Sequence, residues 1–355
     1  MTLQQLLGID WPLIQAPMAG VQGHALAAAV SNAGALGSLP CAMLGPEAMR
    51  SELQALTAQT RRPFNLNFFC HTAAAPDAQA EAAWRAALAP YFAELAVDAH
   101  AVNPGAPRAP FGAAAAALVE QWRPAVVSFH FGLPPVDLLA RVRDSGARIL
   151  SSATTVQEAL WLEAQGVDAV IAQGLESGGH RGMFLSADLS LQLGTFALLP
   201  QVVRALRVPV IAAGGIADAQ GVAAAMALGA AGVQVGTAYL LCPEATTSTL
   251  HRAALQGEGA RHTALTNLFT GRPARGIVNR LMRELGPLRA LVPAFPLAAG
   301  AIAALRARAE ALGSADFSPL WAGQNTQGCK ALPAAELTRQ LATGFAAPPT
   351  RTPTT

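Results

Sequence analysis

Short apolar runs recur along the chain, and most are followed by a turn and an alanine-rich stretch with helical periodicity. The runs are continuous rather than alternating, which is typical of strands in a parallel sheet that is covered on both faces. Eight such runs occupy residues 12–17, 35–39, 64–69, 125–131, 148–153, 168–172, 208–213 and 232–238. Eight strands with intervening helices predict a (β/α)8 barrel, the TIM-barrel class of α/β fold.

A doubly wound open sheet is the structural alternative to the barrel. Such a sheet usually has fewer strands and carries one phosphate-binding glycine loop, placed after the first strand. In this chain the glycine-rich strand ends come late, after the sixth, seventh and eighth apolar runs. Their position favours the barrel.

The strand–helix spacing breaks at two places, and these breaks define the predicted organisation. Between the third and fourth runs the connection is too long for one crossover helix, and it contains helical patterns at 79–88 and 113–122. After the eighth run the pattern becomes helical over 244–312, with no strand signal. The predicted parts are a barrel over 1–243 with an excursion at 70–124, a helical substrate-binding or cap region at 244–318, a return to the barrel at 319–345 that supplies its closing helix, and a flexible tail at 346–355.

Composition excludes several classes of protein. The 355 residues are 52% hydrophobic and only 13% charged, with a formal net charge of +2. The low charged fraction favours a large buried core and argues against disorder. The small net charge argues against nucleic acid or an anionic membrane surface as a partner. The N-terminal residues lack an export signal, and Gly and Pro interrupt the long charge-free stretches, so we expect a cytoplasmic protein without membrane spans. Four widely separated cysteines predict separate thiols, and no histidines have metal-ligand spacing.

Candidate catalytic chemistry is concentrated in the loop after the sixth run. Residues 172–182 place four glycines around His180. A histidine can exchange protons near neutral pH, and glycines let backbone approach a flat or anionic ligand. His180 is therefore the leading catalytic candidate, with a strand-to-helix turn carrying a surface histidine as the alternative. His130 is the second candidate, although a histidine between two phenylalanines is also typical of a core position.

The ends of the seventh and eighth runs predict a phosphate site. Loops after these strands commonly bind phosphate in this fold, and Gly214, Gly215, Gly236 and Thr237 could ring an anion with backbone N–H groups. Tight turns alone would also explain the glycines. No G-x-G-x-x-G opens the chain, so a dinucleotide fingerprint is missing.

Other strand ends carry groups that suit a mononucleotide such as FMN. Its ring needs backbone and amide partners at the polar edge and small residues beside its face. Backbone of Ala16, Pro17 and Met18 follows the first run, and Asn67 and Gln173 supply strand-end amides that could instead be structural turn partners. The remaining candidates for close approach to the cofactor are Gly178 and Gly179.

As a set, these motifs resemble the nitronate monooxygenase family, formerly grouped as 2-nitropropane dioxygenases, and its bacterial class I branch in particular. The matching stretches are 15–20, 67–71, 128–132, 173–182, 213–216, 234–237, 271–277 and 320–324, which run nearly the full chain. Single stretches such as 213–216 would indicate only a flavin-type barrel, whereas the set is specific.

The resemblance implies an FMN-dependent barrel with a helical substrate domain. The implied reaction is oxidation of alkyl nitronates, notably propionate 3-nitronate, by O2 to a carbonyl compound and nitrite, without NAD(P)H. The implied catalytic residue is His180. The implied FMN contacts are Met18, Asn67, Gln173, Gly178, Gly215, Gln234, Val235, Gly236 and Thr237.

Three alternatives to this function remain open. An FMN-dependent NAD(P)H enoyl or quinone reductase would share the flavin loops. A phosphate-binding aldolase or isomerase would need a strand-end lysine or paired carboxylates, and the only lysine, Lys330, lies outside the eight runs. A non-catalytic flavin-binding module would hold FMN without turnover. The sequence does not indicate an oligomeric state.

Overall fold

The computed structural model describes residues 1–98 and 109–345, so the predicted tail and part of the predicted excursion lie outside the described residues. All eight predicted strands are confirmed. They are β1 (Leu13–Gln15), β2 (Gly37–Pro40), β3 (Phe64–Phe69), β4 (Val126–His130), β5 (Arg148–Ala153), β6 (Ala169–Gln173), β8 (Val210–Ala213) and β9 (Gly232–Val235). The two-residue strand β7 (Gly179–His180) belongs to a separate sheet.

The eight strands form one parallel sheet that nearly closes into a barrel. Their order is β1-β9-β8-β6-β5-β4-β3-β2, and a parallel bridge between Ile14 and Leu36 brings β1 beside β2. This order confirms the predicted barrel. Because all strands run in one direction, their carboxyl ends meet at one rim, where Asn67 pairs with Ser128 and Ala213 with Gln234.

Helices cover the outside of the barrel. Seven of them follow successive strands and an eighth packs beside α2 and α9 near the C-terminus. They are α2 (His24–Asn32), α3 (Pro46–Gln59), α5 (Ala113–Trp122), α6 (Val136–Asp144), α7 (Val156–Ala164), α8 (Thr195–Ala205), α9 (Ala219–Ala227) and α13 (Ala334–Ala342). The short helix α1 (Leu3–Leu7) precedes β1, and Leu3 and Leu7 join the apolar cluster of Ile14, Leu36 and Ile211.

The region after β9 corrects one sequence prediction. Residues 244–312 are not purely helical, because β10 (Thr263–Thr266) and β11 (Ala274–Ile277) form an antiparallel pair, and β7 adds to the far edge of β11. Each cap strand has only four residues, and such short pieces become strands through their cross-strand partners rather than through their own pattern. The helices here are α10 (Thr249–Gln256), α11 (Arg280–Leu285) and α12 (Ala299–Ala311).

The two helices of the predicted excursion pack in different places, one on the barrel and one against α12. Its second helix was predicted at 113–122 and forms α5 with the same bounds, which packs on α3 and α6 outside the barrel. Its first, predicted at 79–88, is the longer helix α4 (Ala78–Glu94) and packs against α12. There Trp84 and Leu88 share an apolar cluster with Leu305 and Phe317. We use "cap" for α4 together with β10, β11 and α10 to α12.

Short 3-10 helices complete the described elements, at Leu189–Leu191, Thr237–Leu241, Glu258–Arg261 and Thr343–Phe345. Within the described ranges, no helix is both long enough and apolar enough to cross a membrane. Across the same residues, no group of three or more His, Cys, Asp or Glu side chains is arranged to hold a metal ion.

Candidate functional site

One cavity at the carboxyl rim of the barrel collects nearly all of the predicted site residues. The predicted residues that line it are Ala16, Pro17, Met18, Asn67, His130, Gln173, Gly178, Gly179, His180, Gly214, Gly215, Gln234, Gly236 and Thr237. Val235 does not line it. Successive side chains of a strand point to opposite faces, so Gln234 lies at the cavity while Val235 is buried in the layer between the barrel and its helices.

At one side of the cavity, which we call the glycine end, the loops after β8 and β9 meet. Its residues are Gly214, Gly215, Gly236 and Thr237. Gly215 has φ +73°, a left-handed conformation that favours glycine. A Cβ atom on Gly236 would lie 3.2 Å from the Cβ of Ala16, so that side chains there would crowd the cavity wall. Backbone rather than side chain therefore forms this surface.

Two polar side chains near the glycine end differ in their hydrogen bonding. The Glu176 carboxylate accepts hydrogen bonds from the Thr195 N–H at 2.8 Å and the Thr195 hydroxyl at 2.9 Å. It thereby caps α8. Gln234 Oε1 is buried and has no hydrogen-bond donor among the described residues. A buried amide oxygen without a donor is costly, so this position suits a ligand that brings one.

A buried glutamine pair positions the loop after β1. Gln22 Oε1 accepts from the Met18 N–H at 3.1 Å and from Gln15 Nε2 at 2.6 Å. Gln15 Oε1 in turn accepts from the Ser38 N–H at 3.1 Å. Sequence reasoning missed this pair, although a glutamine that ends an apolar strand was a usable signal.

Asn67 is oriented by its neighbour on β4. Its Nδ2 donates to the Ser128 hydroxyl at 2.9 Å and to the Ser128 carbonyl at 3.3 Å. The amide nitrogen is therefore used within the protein, and Oδ1 is the group of Asn67 that can accept a hydrogen bond from a ligand.

The opposite side, the histidine end, surrounds the ring of His180. Its Nε2 lies 2.9 Å from the Thr270 hydroxyl. The rings of Phe69, Phe295 and Trp321 have centroids 6.1, 5.3 and 5.7 Å from that of His180. Because β7 pairs with β11, with His180 opposite Ala274, the cap sheet directly supports the predicted catalytic loop.

The backbone carbonyl of His180 is held by two barrel side chains. Gln173 Nε2 donates to it at 3.0 Å, and His130 Nε2 lies 3.2 Å away. Gln173 Oε1 also accepts from the Gly182 N–H at 2.7 Å. Gln173, which the sequence predicts to contact a cofactor, thus uses both polar atoms of its side-chain amide to hold the His180 loop.

His130 is held as a neutral ring. Burial lowers its pKa from 6.5 to about 4, and the coulombic effect of Arg272 acts in the same direction. A neutral imidazole that donates from Nε2 must accept at Nδ1, which lies 3.0 Å from the Ser152 hydroxyl. Both nitrogens of His130 therefore have structural partners.

Two arginines that sequence reasoning missed, one of them fully buried, lie behind the His180 loop. Arg181 is fully buried and donates to the carbonyls of Gln173 and Gly174 at 2.8 and 2.7 Å, and burial lowers its pKa to about 10. The Arg272 guanidinium lies 3.9 Å from the centroid of the Phe131 ring. Phe131 has φ +70°, an uncommon conformation for a bulky residue.

Gly178 serves close packing within the protein. A Cβ atom there would lie 2.5 Å from the Gly323 nitrogen, so only glycine lets residues 322–323 approach the loop. The Gly323 N–H donates to Thr237 Oγ1 at 2.9 Å. The segment after the cap therefore links the histidine loop to the glycine end.

A family model and two sequence relatives indicate the same family. A family model described as "Nitronate monooxygenase" matches residues 1–344. The chain is 45% identical to the nitronate monooxygenase of Paraburkholderia phytofirmans, covering 96% of this chain and 93% of the relative. It is 44% identical to that of Pseudomonas aeruginosa, covering 95% and 97% respectively.

A solved structure shows the same architecture. The nitroalkane oxidase from Streptomyces ansochromogenes superimposes with a TM-score of 0.88 at 39% sequence identity. The alignment covers 97% of each chain. The similarity therefore extends over the cap as well as the barrel.

Proposed function

The chain belongs to the nitronate monooxygenase family, and we propose that it uses FMN to oxidise alkyl nitronates with O2 to a carbonyl compound and nitrite, without NAD(P)H. The observation that carries this proposal is the single cavity that joins the His180 loop to the glycine end. One side offers backbone donors for a phosphate, and the other offers a histidine enclosed by aromatic rings.

The donor set of the cavity fits FMN. Backbone N–H groups of Gly214, Gly215, Gly236 and Thr237 would hold the phosphate. Gln234 Oε1 lacks a protein donor, and a hydroxyl or ring N–H of the cofactor would supply one. Asn67 offers an acceptor, and the Ala16–Met18 backbone and Gly179 supply further small surfaces at the cavity wall.

The protein's own contribution to the reaction centres on His180. Bound FMN would supply the electron acceptor, which no side chain in the site provides. A nitronate is already an electron-rich anion, so His180 would orient it and balance its charge. For a neutral nitroalkane, His180 would act as the general base: the α C–H bond breaks, its electron pair stays on the substrate as the nitronate, and the proton goes to the imidazole.

We assign His130 and Gln173 to positioning rather than to chemistry. Both hold the His180 carbonyl, and a His130 pKa of about 4 leaves this residue neutral at physiological pH. His130, the second catalytic candidate, would then keep the His180 loop at a fixed height above the cavity. The aromatic rings would exclude water from the reacting atoms.

Anaerobic mixing of the purified protein with propionate 3-nitronate tests the proposal. We expect an FMN spectrum that bleaches on mixing and recovers when O2 is admitted, with nitrite released. Steady NADH or NADPH oxidation without a response to nitronate would instead establish the reductase alternative. Bound FMN that responds to neither would establish a non-catalytic flavin module.

The choice of nitronate and the cellular location are finer proposals. Propionate 3-nitronate is the substrate that the family resemblance implies, and its kcat/KM should be compared with those of ethyl and butyl nitronates. A cytoplasmic location and action on free small molecules, without nucleic acid, stay predictions from the sequence.

A further inference from the structure

Thr270 contacts the ring of His180 from the cap. It lies in the connection between β10 and β11, is buried, and brings its hydroxyl to 2.9 Å from His180 Nε2. The same hydroxyl lies 3.4 Å from the Arg272 carbonyl, to which it donates. No motif of the sequence pointed to Thr270.

The two contacts of the hydroxyl determine which ring nitrogen of His180 carries the proton. A threonine hydroxyl has one proton, and a carbonyl oxygen can only accept. If that proton goes to the Arg272 carbonyl, the hydroxyl must accept from an Nε2–H of His180. The opposite tautomer would take the hydroxyl proton for Nε2 and would cost the bond to the carbonyl. Of the two neutral tautomers of His180, only the Nε2–H form satisfies both contacts.

The connection that carries Thr270 is itself held in place. The Gly271 N–H donates to the Asn267 carbonyl at 2.8 Å, and Gly271 adopts φ +87°. A Cβ atom on Gly271 would lie 2.1 Å from the Pro293 carbonyl oxygen, so the backbone packs closely against residues 293–295. The neighbouring Phe269 packs edge-on against Trp321, with ring centroids 5.6 Å apart. The turn that carries Thr270 is therefore held in place by packing on both sides of this residue.

We propose that Thr270 is a positioning residue that fixes His180 as the Nε2–H tautomer, so that Nδ1 is the nitrogen that takes the α-proton of a neutral nitroalkane. This inference rests on the proposed function of His180. The barrel then sets the height of the loop through the His180 carbonyl, and the cap sets the rotation and protonation of the ring. A partner at the second nitrogen commonly selects the working tautomer of a histidine in this way.

Nitrogen NMR of the holoprotein labelled with 15N-histidine tests the tautomer directly. The chain has seven histidines, and the spectrum of His180→Asn identifies the His180 signals. At neutral pH we expect a protonated Nε2 and an unprotonated Nδ1 in the wild type and in Thr270→Ser. Thr270→Val should show a mixture of tautomers. A wild-type His180 protonated at Nδ1 would overturn the proposal.

Activity provides the second measurement, with FMN content matched between variants. Thr270→Val should lower kcat on neutral nitroalkane by about 10–100-fold, by analogy with metal-bound histidines that lose the partner of their second nitrogen. Its activity on preformed nitronate should fall much less, and Thr270→Ser should restore the first activity. Equal losses on both substrates, or no loss on either, would contradict a role in proton abstraction.

Thr266→Val is the matched control. Thr266 is buried at the end of β10, and its hydroxyl accepts from the Leu268 N–H at 3.2 Å rather than contacting His180. We expect wild-type His180 signals and a wild-type substrate ratio in this variant. The same change of tautomer in Thr266→Val would assign the effect to disturbance of the cap and overturn the specific role of Thr270. Failure of the proposed function would appear separately, as a wild type that oxidises no nitronate but retains the expected tautomer.

Discussion

The two ends of the cavity are built in different ways. The glycine end consists of barrel loops, and its surface is backbone that follows β8 and β9. The histidine end is assembled from both parts of the molecule: Gln173 and His130 hold the His180 backbone from the barrel, while Thr270 contacts its ring from the cap. The glycine end, where we propose that the cofactor phosphate binds, thus draws on the barrel loops, whereas the surroundings of His180 depend on how the cap packs against the barrel.

Replacement of His180 should have the largest effect, and it should affect the function of the histidine end without that of the glycine end. His180→Asn keeps a polar side chain but cannot act as a base, so activity on neutral nitroalkanes should fall by about 10²–10⁴-fold. Activity on preformed nitronate should fall less, because only orientation and charge balance are lost. FMN content should stay at the wild-type level, since the glycine end is intact. The exposed His262 supplies the control variant His262→Asn; equal losses on both substrates would exclude proton abstraction by His180.

Acid should weaken the protein through its buried histidines. Burial lowers the pKa of His130 and that of His251 from 6.5 to about 4. Between pH 6.5 and 4 the unfolded chain therefore binds protons that the native state does not. The free energy of unfolding should be highest above pH 6.5 and should fall as the pH drops toward 4. Each histidine accounts for up to about 3 kcal/mol of the free energy of unfolding.

Urea unfolding at several pH values between 7 and 4 measures this dependence. His130→Asn should show a flatter slope against pH than the wild type, whereas His262→Asn should keep the wild-type slope. An unchanged slope in His130→Asn would show that protonation of His130 does not contribute.

Crowding the glycine end should remove the cofactor while leaving the His180 loop in place. In Gly236→Leu the new side chain meets Ala16 and Met18 at the cavity wall. Overpacking of this kind costs about 1–3 kcal/mol, and a cost of that size on FMN binding corresponds to roughly a 5- to 150-fold loss of affinity. Gly45→Leu is the matched control, because nothing lies within 4 Å of a Cβ atom there. A wild-type FMN affinity in Gly236→Leu would show that the phosphate does not bind at the glycine end.

The smallest expected effect concerns the support behind the histidine end. Arg272 stacks on Phe131 and donates to the Met183 carbonyl. Lysine cannot reproduce a planar stacked guanidinium, so Arg272→Lys should lower the free energy of unfolding by about 0.5–2 kcal/mol. Thermal unfolding measures this against Arg204→Lys on the exposed face of α8. A Tm equal to that of the control would show that the stacking contributes nothing.

Local pattern predicted the barrel well because its strands are buried on both faces. Nearly every strand position is buried, and the parallel order of the strands places all of their carboxyl ends at one rim. The strands of the cap carry no such signal: residues 263–266 and 274–277 were expected in a helical region and became strands only by pairing. Gln173 shows a similar limit: it lines the cavity, as its place at a strand end indicates, but its hydrogen bonds lead to the His180 loop.

The sequence by itself determined most of the barrel residues that reach the cavity, because period and strand order decide what stands at the rim. Only the tertiary structure decided what surrounds His180. Its partner Thr270 is 90 residues away in the chain, and Phe295 and Trp321 come from still later segments. Such contacts depend on how the cap and the segment after it pack onto the barrel, and that packing has no signature in local periodicity.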